Sequence, residues 1–256
     1  MRNIVLGFGL LMGLMLLSFS CSSTSNKVNE DKSEAKATTE VASETPTEVV
    51  AEEDIAKEKE QLVKITTDYG IIIIKLYNET PLHRDNFIKL AKDSFYNGTL
   101  FHRVIKGFMI QGGDPESKAA VAGAMYGNGG PGYTIPAEFN DKCFHKKGAL
   151  AAARMGDAQN PERRSSGSQF YIVQGKTYSQ MELNQMEQKV GTRIPPEHKE
   201  VYMSKGGTPF LDLMGYTVFG EVIMGFEIID KIADVKTLQA DRPEVDIKMT
   251  VELIEE

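Results

Sequence analysis

The segment from Phe101 to Asp114 contains the side chains with the clearest chemical potential in this chain. Its sequence is FHRVIKGFMIQGGD, in which an arginine lies among aromatic and aliphatic residues. Because side chains alternate along a strand, Phe101, Arg103 and Ile105 are predicted to share one face. A break at Gly107 redirects the chain, so that the next pocket candidates join the same surface. These candidates are Phe108, Met109 and Gln111.

This pattern predicts an apolar pocket with one cation, Arg103, at its edge. Such a pocket suits an uncharged, apolar substrate that changes its shape without transfer of a chemical group. Peptide bonds that precede proline fit this description, because their cis and trans forms differ only by rotation. The alternative is a half-buried strand on which the arginine merely covers the edge of a sheet.

The first twenty residues have the layout of an export signal. A basic start at Arg2 is followed by an almost wholly apolar run from Ile4 to Leu17 and then by small polar residues. The run is short for a membrane-spanning helix, so residues 1–20 are predicted to be a signal peptide. Cys21 follows directly, in a context that resembles the lipobox of bacterial lipoproteins, whose cysteine is acylated. The alternative is an ordinary signal peptide with an incidental cysteine.

Residues 21–61 are predicted to be a disordered, acidic tether. They have no aromatic residue and no sustained apolar period, so they bury too little surface to fold alone. The tether has 11 acidic and 5 basic residues, whereas residues 62–256 have 25 acidic and 23 basic residues. A nearly neutral folded domain has no electrostatic footprint for nucleic acid, and no nucleic-acid partner is expected.

Residues 62–256 are long enough for one domain with a single core. Two apolar runs that flank Asp68-Tyr69 predict a tight hairpin. One helix is predicted after Pro81, and the apolar positions between Phe226 and Ala233 predict another. Many short strands with only two capping helices favour a mainly β fold, a closed antiparallel barrel of eight strands. The predicted strands are 62–67, 70–77, 100–105, 108–111, 148–153, 169–173, 217–222 and 246–254.

Residues 175–208 are predicted to be a helical insertion between two strands of this barrel. Ser179 opens a capping-box pattern, Gly191 is a predicted helix stop, and a second short helix is predicted to follow Pro195. The first helix carries an apolar stripe of Leu183, Met186 and Val190. The insertion is interpreted as structural decoration, with docking of a partner as the alternative.

Five segments together resemble the cyclophilins, and they span nearly the whole of residues 62–256. Besides the pocket segment, the similar stretches are NF and FYNGT at 86–87 and 95–99, GALAAAR at 148–154, SGSQFYI at 166–172, and LD through YTVFGEV at 211–222. The resemblance implies a cyclophilin-like barrel with peptidyl-prolyl cis-trans isomerase activity.

The resemblance also implies the pocket residues, with Arg103 as the catalytic group. Ala153 and Arg154 would offer backbone hydrogen bonds to the residues that precede proline. The implied substrate-binding residues are Phe108, Met109, Gln111, Ala153, Arg154, Tyr171, Phe210, Leu211 and Tyr216.

Three of these positions depart from the pattern of the eukaryotic cyclophilins. Tyr171 replaces the phenylalanine against which the proline ring packs, Phe210 replaces a tryptophan, and Tyr216 replaces a histidine. Tyrosine at the last position is a common bacterial form. Loss of the indole N–H at Phe210 removes one hydrogen-bond donor from the implied pocket.

The sequence therefore predicts an isomerase that accelerates X-Pro rotation in envelope proteins as they fold. Proline-containing polypeptide clients and, through the lipid anchor, a membrane are its expected partners, and a monomer is expected. The expected location is the bacterial cell envelope, on the periplasmic side or at the cell surface. The alternative is a chaperone or scaffold module that binds proline segments, with incidental isomerase activity.

No cofactor or metal is expected, since rotation about a peptide bond needs neither. The four histidines have no metal-ligand spacing with each other or with the two cysteines. Gly175-Lys176-Thr177 lacks the upstream glycine of a phosphate-binding loop, because Phe170 occupies that position. The glycine-rich stretch 127–132 is predicted to be a loop over the pocket.

Overall fold

A computed structural model of the protein describes residues 60–254. The predicted signal peptide, Cys21 and nearly all of the predicted tether lie outside the described residues. The strands of the described part are β1 (Leu62–Thr67), β2 (Gly70–Leu76), β3 (Phe101–Ile105), β4 (Met109–Gly112), β5 (Thr134–Ile135), β6 (Ala149–Ala152), β7 (Ser165–Ser166), β8 (Phe170–Val173), β9 (Val218–Met224) and β10 (Thr250–Leu253). The helices are α1 (Pro81–Lys92), α2 (Gln180–Val190), α3 (Pro196–Ser204), α4 (Pro209–Leu213) and α5 (Phe226–Ala233), with short 3-10 helices at Pro115–Ala119 and Gln239–Asp241.

Eight strands form one antiparallel sheet in the order β10-β1-β2-β9-β6-β8-β4-β3. The predicted hairpin is confirmed, with Thr67 of β1 opposite Gly70 of β2. The Thr67 hydroxyl accepts a hydrogen bond from the Tyr69 N–H at 3.1 Å and donates to the Gly70 carbonyl at 3.0 Å. β5 and β7 form a separate two-stranded ribbon that the sequence did not predict.

The large sheet is an open half-barrel, and the prediction of a closed barrel is wrong. β3 and β10 stand at opposite ends of the strand order. The segments beside them, residues 98–101 and 247–249, share one isolated bridge between Leu100 and Lys248 and three backbone hydrogen bonds, but they form no ladder between β3 and β10. Past this bridge, the 3-10 helix Gln239–Asp241 lies against β3 and takes the edge that a neighbouring strand would need.

Side chains on the two faces of the sheet enter two different apolar clusters. Along β8, Phe170 and Ile172 pack into the inner core of the half-barrel, whereas Tyr171 and Val173 pack on its outer face. This alternation is the period of two that a strand imposes. Because both faces are covered, all four residues of β8 are buried.

The two predicted helices, α1 and α5, are confirmed, and both contribute to the inner core. Pro81 is the first residue of α1, where its fixed φ suits a helix start. Phe87 and Leu90 of α1 and Ile229 and Ile232 of α5 are buried in this core. The half-barrel is therefore filled from the sheet and from both helices.

The insertion consists of α2 and α3, and its predicted helix signals are confirmed. Ser179 and Glu182 form a reciprocal capping box, and Gly191 ends α2 with a φ of 76°. The predicted apolar stripe is only partly buried, since Leu183 is inaccessible but Val190 is 40% exposed. The insertion instead has a small core of its own, formed by Leu183, Ile194 and Tyr202.

Candidate active site

A bulge at the start of the β3–β4 hairpin decides which side chains face outward. The strand register shifts between Phe101 and Arg103. Phe101 therefore packs in the inner core, while Arg103 lines a cavity on the outer face. The prediction that these two residues share a face is wrong, because a bulge reverses the alternation of side chains.

The turn at Gly107 returns the chain to the same outer surface, as predicted. Its φ of 74° lies in the left-handed region that favours glycine. The Phe108 N–H donates to the Ile105 carbonyl at 3.0 Å, and the Gly107 N–H donates to the Gln174 side chain at 2.6 Å. The turn is thus held by both backbone and side chain, and it places Met109 opposite Ile105 and Gln111 opposite Arg103.

Nine of the ten predicted pocket residues line one cavity of about 290 Å³. These nine are Arg103, Phe108, Met109, Gln111, Ala153, Arg154, Tyr171, Leu211 and Tyr216. The cavity is completed by His102, Tyr126, Gly127 and Asn128. Gly127 and Asn128 belong to the glycine-rich stretch 127–132, the loop predicted to cover the pocket. The structure brings these residues together, and their individual roles stay predictions.

Phe210 is the predicted pocket residue that does not line this cavity. The sequence grouped this region with the pocket strands, but residues 209–213 form helix α4. Neighbouring residues on a helix point about 100° apart. Leu211 is therefore turned inward and is 5% exposed, while Phe210 is 44% exposed. The signal that the sequence analysis missed is Pro209, which occupies the first turn of this short helix.

The Arg103 side chain lies at the cavity edge and is 41% exposed. Its Nη1 donates to the Gln111 side-chain oxygen at 3.4 Å, and its Nε donates to an Asp241 carboxylate oxygen at 3.3 Å. The Gln111 amide in turn donates to Gln169 at 3.2 Å, and Gln169 donates to the Gly129 carbonyl at 2.7 Å. A chain of amides therefore orients Gln111 beside the guanidinium.

Asp241 is a residue of this site that sequence reasoning missed. It follows Ala240 in the turn after α5, and both have positive φ values, 60° and 58°. Arg242, which is only 7% exposed, anchors this turn by donating to the Val121 carbonyl at 2.9 Å and to Asp246 at 2.6 Å. The anchored turn holds a costly backbone conformation that places a carboxylate at Arg103.

Arg154 and Ala153 lie on the far wall of the cavity. The Arg154 guanidinium stacks over the Tyr216 ring at 4.2 Å and donates to the Met214 carbonyl at 2.8 Å. The Ala153 N–H donates to the Gln169 carbonyl at 3.0 Å, and its own carbonyl accepts from Ser166 at 2.8 Å. The Ala153 N–H is thus engaged within the protein, whereas its carbonyl oxygen keeps a second lone pair that can accept from a peptide.

His102 is a buried member of the cavity wall and is 3% exposed. Neither ring nitrogen has a hydrogen-bond partner among the described residues. Burial lowers the pKa of His102 to about 4, although the nearby Asp114 carboxylate opposes this shift. The ring is therefore neutral at pH 7, and Arg103 is the cation at this edge of the cavity.

The fold and the cavity define a class of protein, a β half-barrel domain whose outer face carries a cavity with an apolar wall and a polar edge that includes Arg103 and Gln111. Comparison with known families agrees with this geometry. Residues 62–252 match the family described as cyclophilin type peptidyl-prolyl cis-trans isomerase/CLD. The chain therefore belongs to the cyclophilin family and is a peptidyl-prolyl cis-trans isomerase.

Individual relatives support this assignment. The chain is 37% identical over 186 residues to a Staphylococcus aureus protein named as a peptidyl-prolyl cis-trans isomerase, with 72% of this chain and 87% of the relative covered. It is 35% identical over 192 residues to a Staphylococcus epidermidis protein of the same name, covering 75% and 90%. A Streptococcus pyogenes protein named as a bifunctional phosphatase and isomerase is 35% identical, and the chain spans only 37% of that longer relative.

A solved structure agrees with the fold. A cyclophilin type peptidyl-prolyl cis-trans isomerase of Cryptosporidium parvum superposes with a TM-score of 0.52 at 24% identity, covering 77% of this chain and 99% of that chain. The same protein was also solved in the presence of the dipeptide Ala-Pro, with a TM-score of 0.51. At this identity the likeness establishes the fold.

No helix within residues 60–254 is long and apolar enough to cross a membrane. The same residues contain no group of three or more His, Cys, Asp or Glu side chains placed to hold a metal ion.

Proposed function

We propose that this isomerase acts on proline-containing segments of bacterial envelope proteins and uses the Arg103 cavity as its active site. The observation that carries the proposal is the position of the guanidinium at the edge of a cavity walled by Met109, Tyr171 and Leu211. An apolar wall accepts a proline ring, and a cation at its edge reaches the peptide nitrogen of that proline.

The chemistry requires one well-placed donor. Rotation about an X-Pro bond is opposed by about 18–20 kcal/mol, because the nitrogen lone pair is delocalised into the carbonyl. In the twisted transition state the nitrogen regains this lone pair and becomes a hydrogen-bond acceptor. Arg103 stays protonated and carries several donors, so it binds the twisted amide more strongly than the planar one.

The size of the acceleration determines how much preferential transition-state binding the cavity must supply. An acceleration of about 10⁵-fold corresponds to roughly 7 kcal/mol of preferential transition-state binding. Hydrogen bonding from Arg103 contributes part of this. The apolar wall contributes a further part, because the planar amide is the more polar form and is disfavoured in a medium of low polarity.

The envelope location rests on the sequence of residues 1–61, nearly all of which lie outside the described residues. A signal peptide over residues 1–20 would export the chain, and acylation of Cys21 would anchor it. A flexible tether of about 40 residues has a span of roughly 35 Å. That span is enough to hold the isomerase domain clear of lipid headgroups.

Substitution of Arg103 tests the proposed site. Arg103→Ala should lower kcat/KM by about 10² to 10³-fold, or roughly 3–4 kcal/mol, while peptide affinity falls far less. Arg103→Lys should restore only part of the activity, because an ammonium lacks the planar set of donors. Cis/trans exchange measured by NMR, with the dissociation constant of the same peptide, separates these effects.

Arg193→Ala, which removes an exposed arginine from the insertion, serves as the matched control. Unchanged activity of Arg103→Ala would mean that the cavity is not the active site. Equal losses in turnover and affinity would make Arg103 a residue of ground-state binding rather than of catalysis.

A further inference from the structure

The Tyr171 hydroxyl is a polar group on a side chain of the apolar wall that Met109, Tyr171 and Leu211 form. The side chain lines the cavity, yet the residue is only 4% exposed. A buried hydroxyl requires a hydrogen-bond partner. Its partner is the Nε2 atom of His145, at 2.8 Å.

His145 is completely buried and lies between Tyr171 and Asp212. Its Nδ1 is 2.5 Å from Asp212 Oδ1, and the same oxygen accepts from the His145 backbone N–H at 3.0 Å. Because a carboxylate only accepts, Nδ1 carries the proton and donates it. The other ring nitrogen, Nε2, pairs with the Tyr171 hydroxyl.

The second oxygen of Asp212 accepts a hydrogen bond from the Tyr202 hydroxyl. Tyr202 belongs to α3, is fully buried and forms part of the small core of the insertion. Its ring also packs directly on Gly207, where an added Cβ would lie 2.6 Å from a ring carbon. A continuous series of side chains therefore runs from the insertion to the pocket, through Tyr202, Asp212, His145 and Tyr171.

Asp212 connects this series to a second part of the pocket wall. It lies on α4 directly after Leu211, which lines the cavity. With five residues, α4 is too short to be stable by itself and depends on tertiary contacts. The three hydrogen bonds that His145 and Tyr202 donate to Asp212 are such contacts.

We propose that His145 and Asp212 are positioning residues through which the helical insertion holds Tyr171 and Leu211 in the wall of the proline pocket. The inference rests on the proposed use of this cavity as the peptide site. Neither His145 nor Asp212 lines the cavity, so both act through the residues that do. The insertion then supports the pocket wall and is more than a structural addition to the half-barrel.

A double-mutant cycle on the full chain tests this inference, because such a cycle isolates the coupling between two side chains. Tyr202→Phe removes only a hydroxyl and should raise KM for a short X-Pro peptide about fivefold while kcat stays within about twofold. This pattern follows because the tyrosine wall contacts proline equally in the ground state and the transition state. In the Tyr171→Phe background the series still reaches the pocket wall through Asp212 and Leu211 but no longer through a hydroxyl, so Tyr202→Phe should raise KM only about twofold.

The kinetic pattern separates positioning from a general loss of stability. A partly unfolded population lowers the apparent kcat and leaves KM unchanged, and this outcome for Tyr202→Phe would overturn the inference. Equal effects of Tyr202→Phe with and without the Tyr171 hydroxyl would also overturn it, as would no effect in either background. Tyr178→Phe, in the same insertion but outside the series, is the matched control and should leave both constants unchanged.

Failure of the positioning role can be distinguished from failure of the proposed active site. If Arg103→Ala leaves activity unchanged, the site assignment fails. If Arg103→Ala loses activity but the cycle shows no coupling, only the positioning role fails.

Discussion

At the residue scale, the electrostatic surroundings of Arg103 are set by Asp241 and by the turn that carries it. The carboxylate faces Nε, at 3.3 Å, so that the Nη groups remain directed to the cavity and to Gln111. The pair is about half exposed, and such pairs contribute little energy. Its effect is therefore on the orientation of the guanidinium more than on stability.

Two substitutions at Asp241 test this role. Asp241→Gly suits the positive φ but removes the acceptor, and it should lower kcat/KM about three- to fivefold without loss of stability. Asp241→Asn keeps an acceptor and tolerates the same backbone conformation, so it should stay within about twofold of the wild type. Exchange NMR at low salt measures both, and wild-type activity in Asp241→Gly would contradict the orienting role.

His102 predicts a dependence of stability on pH. Its pKa is about 4 in the folded protein, below its ordinary value of 6.5, because the ring is buried. The unfolded chain therefore takes up the proton first as the pH falls, so the stability contributed by the neutral ring is present above about pH 6.5 and is lost towards pH 4. Between pH 7 and pH 5 this loss should amount to about 2 kcal/mol.

The measurement that checks this is the difference in unfolding free energy between the wild type and His102→Gln. Urea unfolding of the wild type and of His102→Gln at pH 7, 6 and 5 cancels the titration of the other groups. The wild type should lose more stability than the variant over this range. Parallel pH profiles would show that His102 is solvated or paired in the folded state.

At the scale of elements, the insertion is joined to the half-barrel at two adjacent points. The Gly207 N–H donates to the Lys176 carbonyl at 3.0 Å, so the chain enters and leaves α2 and α3 side by side. None of the residues from 180 to 205 belongs to the inner core. Replacement of residues 180–205 by a short Gly-Ser link should therefore leave a folded half-barrel.

The shortened protein should unfold in one cooperative transition in circular dichroism and should remain an isomerase with KM raised about fivefold, as in Tyr202→Phe. The rise in KM follows from the loss of Tyr202, which otherwise holds Asp212. Absence of a cooperative transition would show that the cluster of Leu183, Ile194 and Tyr202 is required by the half-barrel itself.

At the scale of the whole molecule, the domain and the segment before it differ in net charge. Most of the net negative charge of the chain lies in residues 21–61, whereas the net charge of the domain is close to zero. Cys21→Ser should move the protein from the membrane fraction to the soluble fraction, because a lipid anchor requires the thiol. Fractionation, with mass spectrometry of the mature N-terminus, measures this change, and isomerase activity should be the same in both forms.

A matched control tests whether loss of the other cysteine also releases the protein from the membrane fraction. Cys143→Ser changes the other cysteine, which lies in the domain, and should leave the protein in the membrane fraction. Persistence of Cys21→Ser in the membrane fraction, with no acyl mass on the mature chain, would contradict the anchor.

Features encoded within a few residues of one another were predictable from the sequence. The hairpin at Asp68-Tyr69, the start of α1 at Pro81, the capping box of Ser179 and the turn at Gly107 are all confirmed. Each depends on backbone preferences and hydrogen bonds that a short peptide already contains. The family motifs likewise placed nine of ten pocket residues around one cavity.

Only the tertiary structure decided the features that depend on distant segments. The bulge turns Phe101 inward, α4 turns Phe210 outward, and the 3-10 helix beside β3 leaves the barrel open. Asp241 reaches Arg103 across 138 positions of sequence, and Tyr202 reaches Tyr171 through two intervening side chains. Residue type and local period determine which side chains are buried or cap a helix, but which distant side chains meet depends on the register and packing of the whole sheet.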